Sequence, residues 1–217
     1  MPGRLLSINV GLPIDAEWAG SLGRTAIAKT HVTGPVDVHR LGVAGDQVAD
    51  TKDHGGVYQA LYAFAREDLD IWAERLGRPV PNGMFGENLT TEGIDVNEAL
   101  IGEQWLIGTT VVQLASVRIP CTVFQGYLRE SGYDSDKWIK RFTREARPGP
   151  YLQVVREGQI SVGDAIEVVR RPDHGITVST MFRAFTTDRQ LLPTLLDAGG
   201  DLTPEARETV EAYAART

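Results

Sequence analysis

One cysteine, Cys121, is all the chain holds, so no disulfide can close within it and its own thiols cannot build an iron–sulfur cluster. Histidine is nearly as scarce. His31, His39, His54 and His174 are dispersed, without HExxH or CxxC spacing, which excludes a zinc site made by protein side chains alone. Any metal is therefore expected to arrive inside a cofactor. Positive charge is in deficit as well, with 22 Lys and Arg against 29 Asp and Glu and a formal net charge of -7. Such a surface has no global field to gather phosphate backbones, so nucleic acid is not an expected partner. Long apolar runs are also missing. The opening MPGRLLSINVGLPIDAEW has only a short apolar stretch before Pro13 and Asp15, too little for a signal-peptide core or a membrane span. The expected location is the cytoplasm, with no membrane partner.

What the chain does have is 217 residues, 42% of them hydrophobic, enough for one buried core with at most a small appendage. Short apolar or alternating runs, broken by Gly, Pro, Asn and Asp, fill it from Leu5 to about Val169. Candidate strands are LLSINV (5–10), AIAKTHV (26–32), QALYAF (59–64), QWLIG (104–108), TVVQLAS (110–116), YLQVVRE (151–157) and DAIEVVR (164–170). Gly108-Thr109 reads as a hairpin turn between two of them. The expected fold is mainly β with helices: a closed or nearly closed barrel over residues 1–172, followed by a three-helix extension over 173–217.

Two helices interrupt the strands. In REDLDIWAERLG, Leu69, Trp72, Ala73 and Leu76 share a face, acidic residues open the first turn and Gly77 follows the end. In SDKWIKRFTREARPGP, Trp138, Ile139 and Phe142 share one face, and Lys137, Lys140, Arg141 and Arg144 share the opposite one. Beyond Pro172, TVSTMFRAF, DRQLLPTLLDAG and TPEARETVEAYAA predict short helices, the last capped by Thr203 with Pro204 at its first position. They are too thinly apolar to stand alone, so they must dock on the barrel or on a second subunit, and Met181, Phe182 and Phe185 leave a homodimer open.

Three stretches resemble site builders: KDHGG (52–56), MFGENL (84–89) and RIPC (118–121). Each joins a turn to polar groups at the end of a predicted strand, where a rigid scaffold presents functional side chains. Lys52 and His54 offer charge or hydrogen bonds beside two glycines, although a turn whose histidine bonds a carbonyl is an equally ready reading. Glu87 and Asn88 could fix a polar heterocycle or merely cap a turn, and Asp46 could contact a cofactor or form a turn. Cys121 could be a small core filler. Against that, Pro120 breaks strand pairing and Arg118 raises the local potential, which suits a reactive thiol.

Together, KDHGGVYQALYAF, GMFGENLTTEGIDVNEALIGE, RIPC and GPYLQVVREGQISVGDAIEVV, in this order, resemble the MOSC-domain family, named for the C-terminal domain of molybdenum cofactor sulfurase. The likeness runs from about Leu5 to Pro172 and is greatest to stand-alone bacterial members with a C-terminal three-helix extension. It implies a β-barrel that binds the molybdenum cofactor, molybdopterin, with Cys121 as metal ligand or persulfide carrier. It implies a cofactor site near Cys121 lined by the turn His54-Gly55-Gly56 and the loop Phe85-Gly86-Glu87-Asn88; Lys52, Gln59, Arg118 and Arg147 are further candidate cofactor contacts, Arg147 as the loop member of a basic set that reads as readily as a solvated helix face, and His54 or Glu87 could supply protons. The reaction so implied is two-electron reduction of a small N-hydroxylated substrate, fed by a separate electron-donor protein. A sulfur-carrier module and a non-catalytic small-molecule binder are the alternatives. The chain departs from the family pattern at Val57, where relatives often carry proline, and at Gln59, often basic. It also reads Ala115-Ser116-Val117-Arg118-Ile119 where a Gln-Pro-Arg is common.

Overall fold

The structure, a computed structural model, describes residues 3–51 and 54–216. Its frame is a closed barrel of seven strands: β1 (Gly3–Val10), β2 (Leu61–Ala65), β3 (Leu89–Glu92), β4 (Gln104–Ile107), β5 (Thr110–Val117), β6 (Pro150–Arg156) and β7 (Ala165–Arg170). They run in the order β7-β4-β5-β6-β2-β3-β1, and the pairs Gly3↔Ile166 and Arg4↔Ala165 close the ring. Closure leaves no long edge for another chain to extend. Inward positions of alternating strands fill the interior: Leu5, Ile8, Ile107, Val112, Leu114 and Leu152 are all buried.

All neighbouring barrel strands are antiparallel except β2 and β3, which pair in parallel with Ala63 opposite Leu89. A parallel pair demands a crossover, and α1 (Arg66–Leu76) supplies it. Its apolar face buries Leu69 and Trp72, and Gly77 ends it in the left-handed region at φ 68. Gly108-Thr109 turns β4 into β5, pairing Ile107 with Thr110, with Gly108 at φ 56.

Beside the barrel lies a second core built from rings. Helices α2 (Thr122–Glu130) and α3 (Trp138–Glu145) bring Phe124, Trp138 and Phe142 against Trp72 and Phe85. Ring centroids are 5.0 Å apart for Phe85 and Phe124, 5.1 Å for Phe124 and Trp138, and 4.6 Å for Trp72 and Trp138. Such pairs contribute about 1 kcal/mol each beyond area burial. The C-terminal segment joins the same core through α4 (Val178–Phe185), whose Phe182 meets Phe142 edge-on at 6.2 Å. Met181 and Phe182 are fully buried against their own barrel, and Phe185 packs partly against the core. After a 3-10 run at Arg189–Asp201, α5 (Pro204–Ala214) begins with the Thr203 hydroxyl accepting the Ala206 N–H at 3.2 Å.

The structure departs from the sequence reading in three places. AIAKTHV is not a continuous strand: only Thr30–His31 ladders with β1, while Ile27 and Val32 are partly buried by packing rather than by pairing. LTTE forms β3, unforeseen because the run is short and lies in a stretch that reads as loop. The helix α2, directly after Cys121, was also unforeseen, since Pro120 and Gly126 suggest a loop. No helix among the described residues is long and apolar enough to cross a membrane.

Candidate functional site

Where β5 ends, Arg118, Ile119 and Pro120 carry the chain out of the barrel wall. Proline has no N–H for the ladder, so pairing stops, and the next residue, Cys121, takes the N-cap position of α2 with extended φ -129 and ψ 170. The thiol is therefore half-buried at the first turn of a helix. It lines a cavity of about 570 Å³, bounded also by His54, Gly55, Gly56, Gln59, Gly86, Asn88 and Arg118. That volume is in the range of small-ligand and cofactor sites.

Three groups act on the sulfur. Burial pushes the Cys121 thiol up, but the hydrogen bond with His54, the Arg118 charge and the Phe124 backbone N–H outweigh it, bringing it from 9.0 to about 7. In return, the bond to Cys121 raises His54 above its ordinary value, helped by Asp50 and opposed by burial. His54 Nδ1 lies 3.3 Å from Asp50 Oδ2. Each group thus favours the charged form of the other.

Arg118 is 7% exposed and its Nη1 donates to the Phe85 carbonyl at 2.7 Å. Its guanidinium carbon sits 4.4 Å from the Phe124 ring and 5.0 Å from the Tyr62 ring, held between them by cation–π attraction. The buried Nε has no partner among the described residues. A buried donor left unpaired on a cavity wall is the mark of a missing acceptor.

Also lining the cavity, Lys29 donates to Asp46 at 2.6 Å, both side chains about nine-tenths buried. Asp46 also accepts from the Gly11 N–H at 2.7 Å and the Asn88 amide at 2.8 Å. Burial lowers the Lys29 ammonium, against the pull of Asp46. Sequence reasoning weighed Asp46 but missed Lys29, Tyr62 and Tyr151. The only signal for Lys29 was a lone cation inside an alternating apolar run.

Several expected residues stand elsewhere. Glu87, read as a proton donor, is fully buried and faces away from the cavity: its carboxylate accepts from Gly83 N at 2.5 Å, Phe85 N at 3.0 Å and Thr90 Oγ1 at 2.9 Å. Burial raises it and those bonds lower it. Phe85 is buried among the rings of the second core, so its side chain cannot touch a cofactor. Arg147 points to Asp68 and to Asp95 at 2.9 Å, a charge pairing that ties the start of β6 to α1. Lys137, Lys140 and Arg144 rim a separate apolar groove with Arg183, and Arg141 pairs with Asp134 at 2.9 Å. Lys52 lies outside the described residues.

The cavity suits an anionic, sulfur-liganded group. One polarised thiolate supplies a soft ligand, Lys29 and the orphaned Arg118 Nε supply cationic donors, and Gly56 leaves open space within 4 Å of where a β-carbon would stand. Among the described residues no three His, Cys, Asp or Glu side chains gather to hold a metal ion alone, so a metal here would rest on Cys121 and a cofactor.

Comparison with known proteins gives the family and the fold. The chain belongs to the MOSC family: the sequence profile of the MOSC domain matches residues 50–167. YflK of Bacillus subtilis is 31% identical over 174 residues, which cover 80% of this chain and 76% of YflK. A protein named Reductase in Gibberella moniliformis is 29% identical over 176 residues, covering 79% of this chain but only 30% of the fungal protein. The crystal structure of YiiM from Geobacillus stearothermophilus superposes with a TM-score of 0.78 at 26% identity, over 97% of this chain and 98% of YiiM.

Proposed function

We propose that this chain is a molybdenum-cofactor-dependent reductase of N-hydroxylated compounds, with Cys121 as the protein's ligand to the metal. The observation that carries the reading is the Cys121 thiol brought to about 7 beside a cationic, partly unsatisfied cavity wall. When bound, the cofactor supplies the two-electron centre that no side chain of the chain can provide. Arg118 and Lys29 neutralise its negative charge, and the Gln59 amide orients its polar edge. The Gly55-Gly56 backbone, free of side chains, lets a planar group approach.

The reaction balances as R–NH–OH plus two electrons and two protons giving R–NH2 and water: the N–O bond breaks and nitrogen is reduced. His54, on the cavity wall and with its protonated form favoured by Cys121 and Asp50, delivers one proton to the departing oxygen; Asp50 holds its ring. The electrons come from a separate redox protein, since one cysteine cannot anchor an iron–sulfur cluster. The fungal relative's name, Reductase, supports the same class of chemistry.

Elemental analysis tests this. Protein from a cofactor-competent host should carry molybdenum, lose it in Cys121→Ala, and reduce benzamidoxime with reduced methyl viologen. A metal-free protein whose mass is heavier by one sulfur atom would replace the reductase with a persulfide carrier. Molybdenum retained unchanged in Cys121→Ala would remove the thiol as ligand.

A further inference from the structure

Around α3 the surface reverses the sign of the chain. Lys137 at its N-cap, then Lys140 and Arg144, join Arg183 of α4 around an open groove of about 750 Å³. All four are exposed, and no carboxylate lines the groove. The surface between the charges is apolar, formed by Ile139, Ala146 and the hydrocarbon stems of the cations. Nearby acids are turned elsewhere or pair at the edge: Glu145 is held by Arg75 at 3.0 Å, Asp134 by Arg141 at 2.9 Å, and Asp136 lies 3.5 Å from Lys137. Lys140, Arg144 and Arg183 form no ion pair among the described residues.

This array is rigid. On its inner side α3 buries Trp138 and Phe142 in the ring core. At its two ends stand Lys137 at φ 49 and Ala146 at φ 54, the only non-glycine residues with positive φ among those described, and both line the groove. A residue with a β-carbon keeps that conformation only where its surroundings hold it. Here the Ser179 hydroxyl of α4 donates to the Ala146 carbonyl at 2.8 Å, fixing the end of α3 beside Arg183.

The groove also lies close to the thiol. Gln125 lines it, one turn beyond Cys121 on α2, and the Gln125 N–H donates to the Cys121 carbonyl at 3.2 Å. Four residues of helix rise by about 6 Å. Yet the groove and the thiol cavity share no lining residue, so an occupant of the groove leaves the cavity free for a small molecule.

We propose that the α3–α4 groove is the docking site of the electron donor, and that this donor is a small carrier protein with an acidic face bearing an apolar contact. This deepens the reductase reading and rests on it for the partner's redox role, though not for its acidic surface. A net charge of -7 repels such a partner over the rest of the surface, so the four cations orient it as well as attract it. Each N–O cleavage consumes two electrons, so two one-electron carriers are oxidised per turnover.

Two measurements test it. The first needs no molybdenum: fluorescence anisotropy of a dye-labelled plant-type [2Fe–2S] ferredoxin, an acidic one-electron carrier, titrated with the chain at low and high salt. Binding is expected at low salt, to weaken at high salt, and to weaken about tenfold in the double variant Lys140→Glu/Arg144→Glu. Arg40→Glu, an exposed reversal next to the cavity-lining Leu41, should leave it unchanged. The second gives the molybdenum-loaded protein benzamidoxime and one of two electron sources: NADPH with ferredoxin reductase and ferredoxin, or reduced methyl viologen, which needs no dock. The double variant should lose about tenfold in kcat/KM for ferredoxin while keeping its molybdenum and its viologen-driven rate. Absence of salt-sensitive ferredoxin binding, or a loss in Arg40→Glu equal to that in the double variant, overturns the groove assignment. So does ferredoxin that drives no turnover where viologen does, or that drives the double variant as well as wild type. Ferredoxin binding that follows the variants while neither source drives reduction leaves the acidic dock standing and overturns the reductase reading instead.

Discussion

Two glycine-bearing loops flank the same barrel, and both look like site builders in the sequence, yet they do opposite work. The turn at 54–56 and the neighbouring Cys121 form an accessible wall where hydrogen bonds and charges shift the protonation of a thiol and an imidazole. The loop at 83–88 is a brace: Glu87 is sealed and triply bonded, and Asn88 bridges Tyr62 N at 3.1 Å, Asn9 O at 3.2 Å and Asp46. Polar residues whose bonds are all made inside the protein hold shape. Polar residues left short of a partner beside open space are available for chemistry.

Swapping losses between the two loops breaks or sharpens that contrast. Cys121→Ala should cut bound molybdenum and turnover by about 100-fold or more while shifting stability by no more than about 1 kcal/mol. Metal analysis and urea denaturation read the two quantities separately. Glu87→Ala should do the reverse, costing about 3 kcal/mol by orphaning buried donors, with normal molybdenum per folded molecule. If instead its turnover collapses at full stability, the brace assignment is wrong.

The thiol's own titration gives the next largest effect. Alkylation of Cys121 should show a midpoint near 7 in wild type, rising toward 9.0 in His54→Ala, with rates near neutrality about tenfold lower. The sign for stability follows: a thiol held below its unfolded value contributes stability fully present above 9.0 and lost as pH falls through about 7. His54, held above its ordinary value, contributes in the other direction, present below 6.5 and lost as pH rises through its folded value. An unmoved midpoint in His54→Ala would leave Arg118 as the acting charge.

The smallest effect separates two glycines. Both Gly56 and Gly86 adopt positive φ, 80 and 77, but a β-carbon at Gly86 would stand 2.9 Å from Ile27 Cγ1, whereas at Gly56 it meets nothing within 4 Å. Gly56→Ala should cost about 1 kcal/mol from backbone strain alone, and Gly86→Ala roughly twice that, measured by thermal unfolding. Equal costs would mean that the packing around Ile27 gives way freely.

Much of the barrel was legible because alternation and turn chemistry are local properties. Gly108-Thr109, the strands flanking it, and the helix ended by Gly77 all follow from neighbours in the chain. The run at 26–32 misled because its alternation is satisfied by packing against the cavity edge rather than by a strand partner. The helix after Cys121 stayed hidden because its apolar face matters only once Phe124 meets Phe85 and Trp138. Arg147 and Glu87 looked available because their partners, Asp68 and Asp95 in one case and the Gly83 and Phe85 amides in the other, become neighbours only on folding.

By itself the sequence determined a β-rich chain with one thiol placed after a proline, since periodicity, turn residues and the count of sulfurs need no third dimension. Only the tertiary structure decided which side of each loop faces the cavity. Burial, charge pairing and hydrogen-bond satisfaction depend on groups far apart in the chain, and they alone set Cys121, His54, Arg118 and Lys29 around one space.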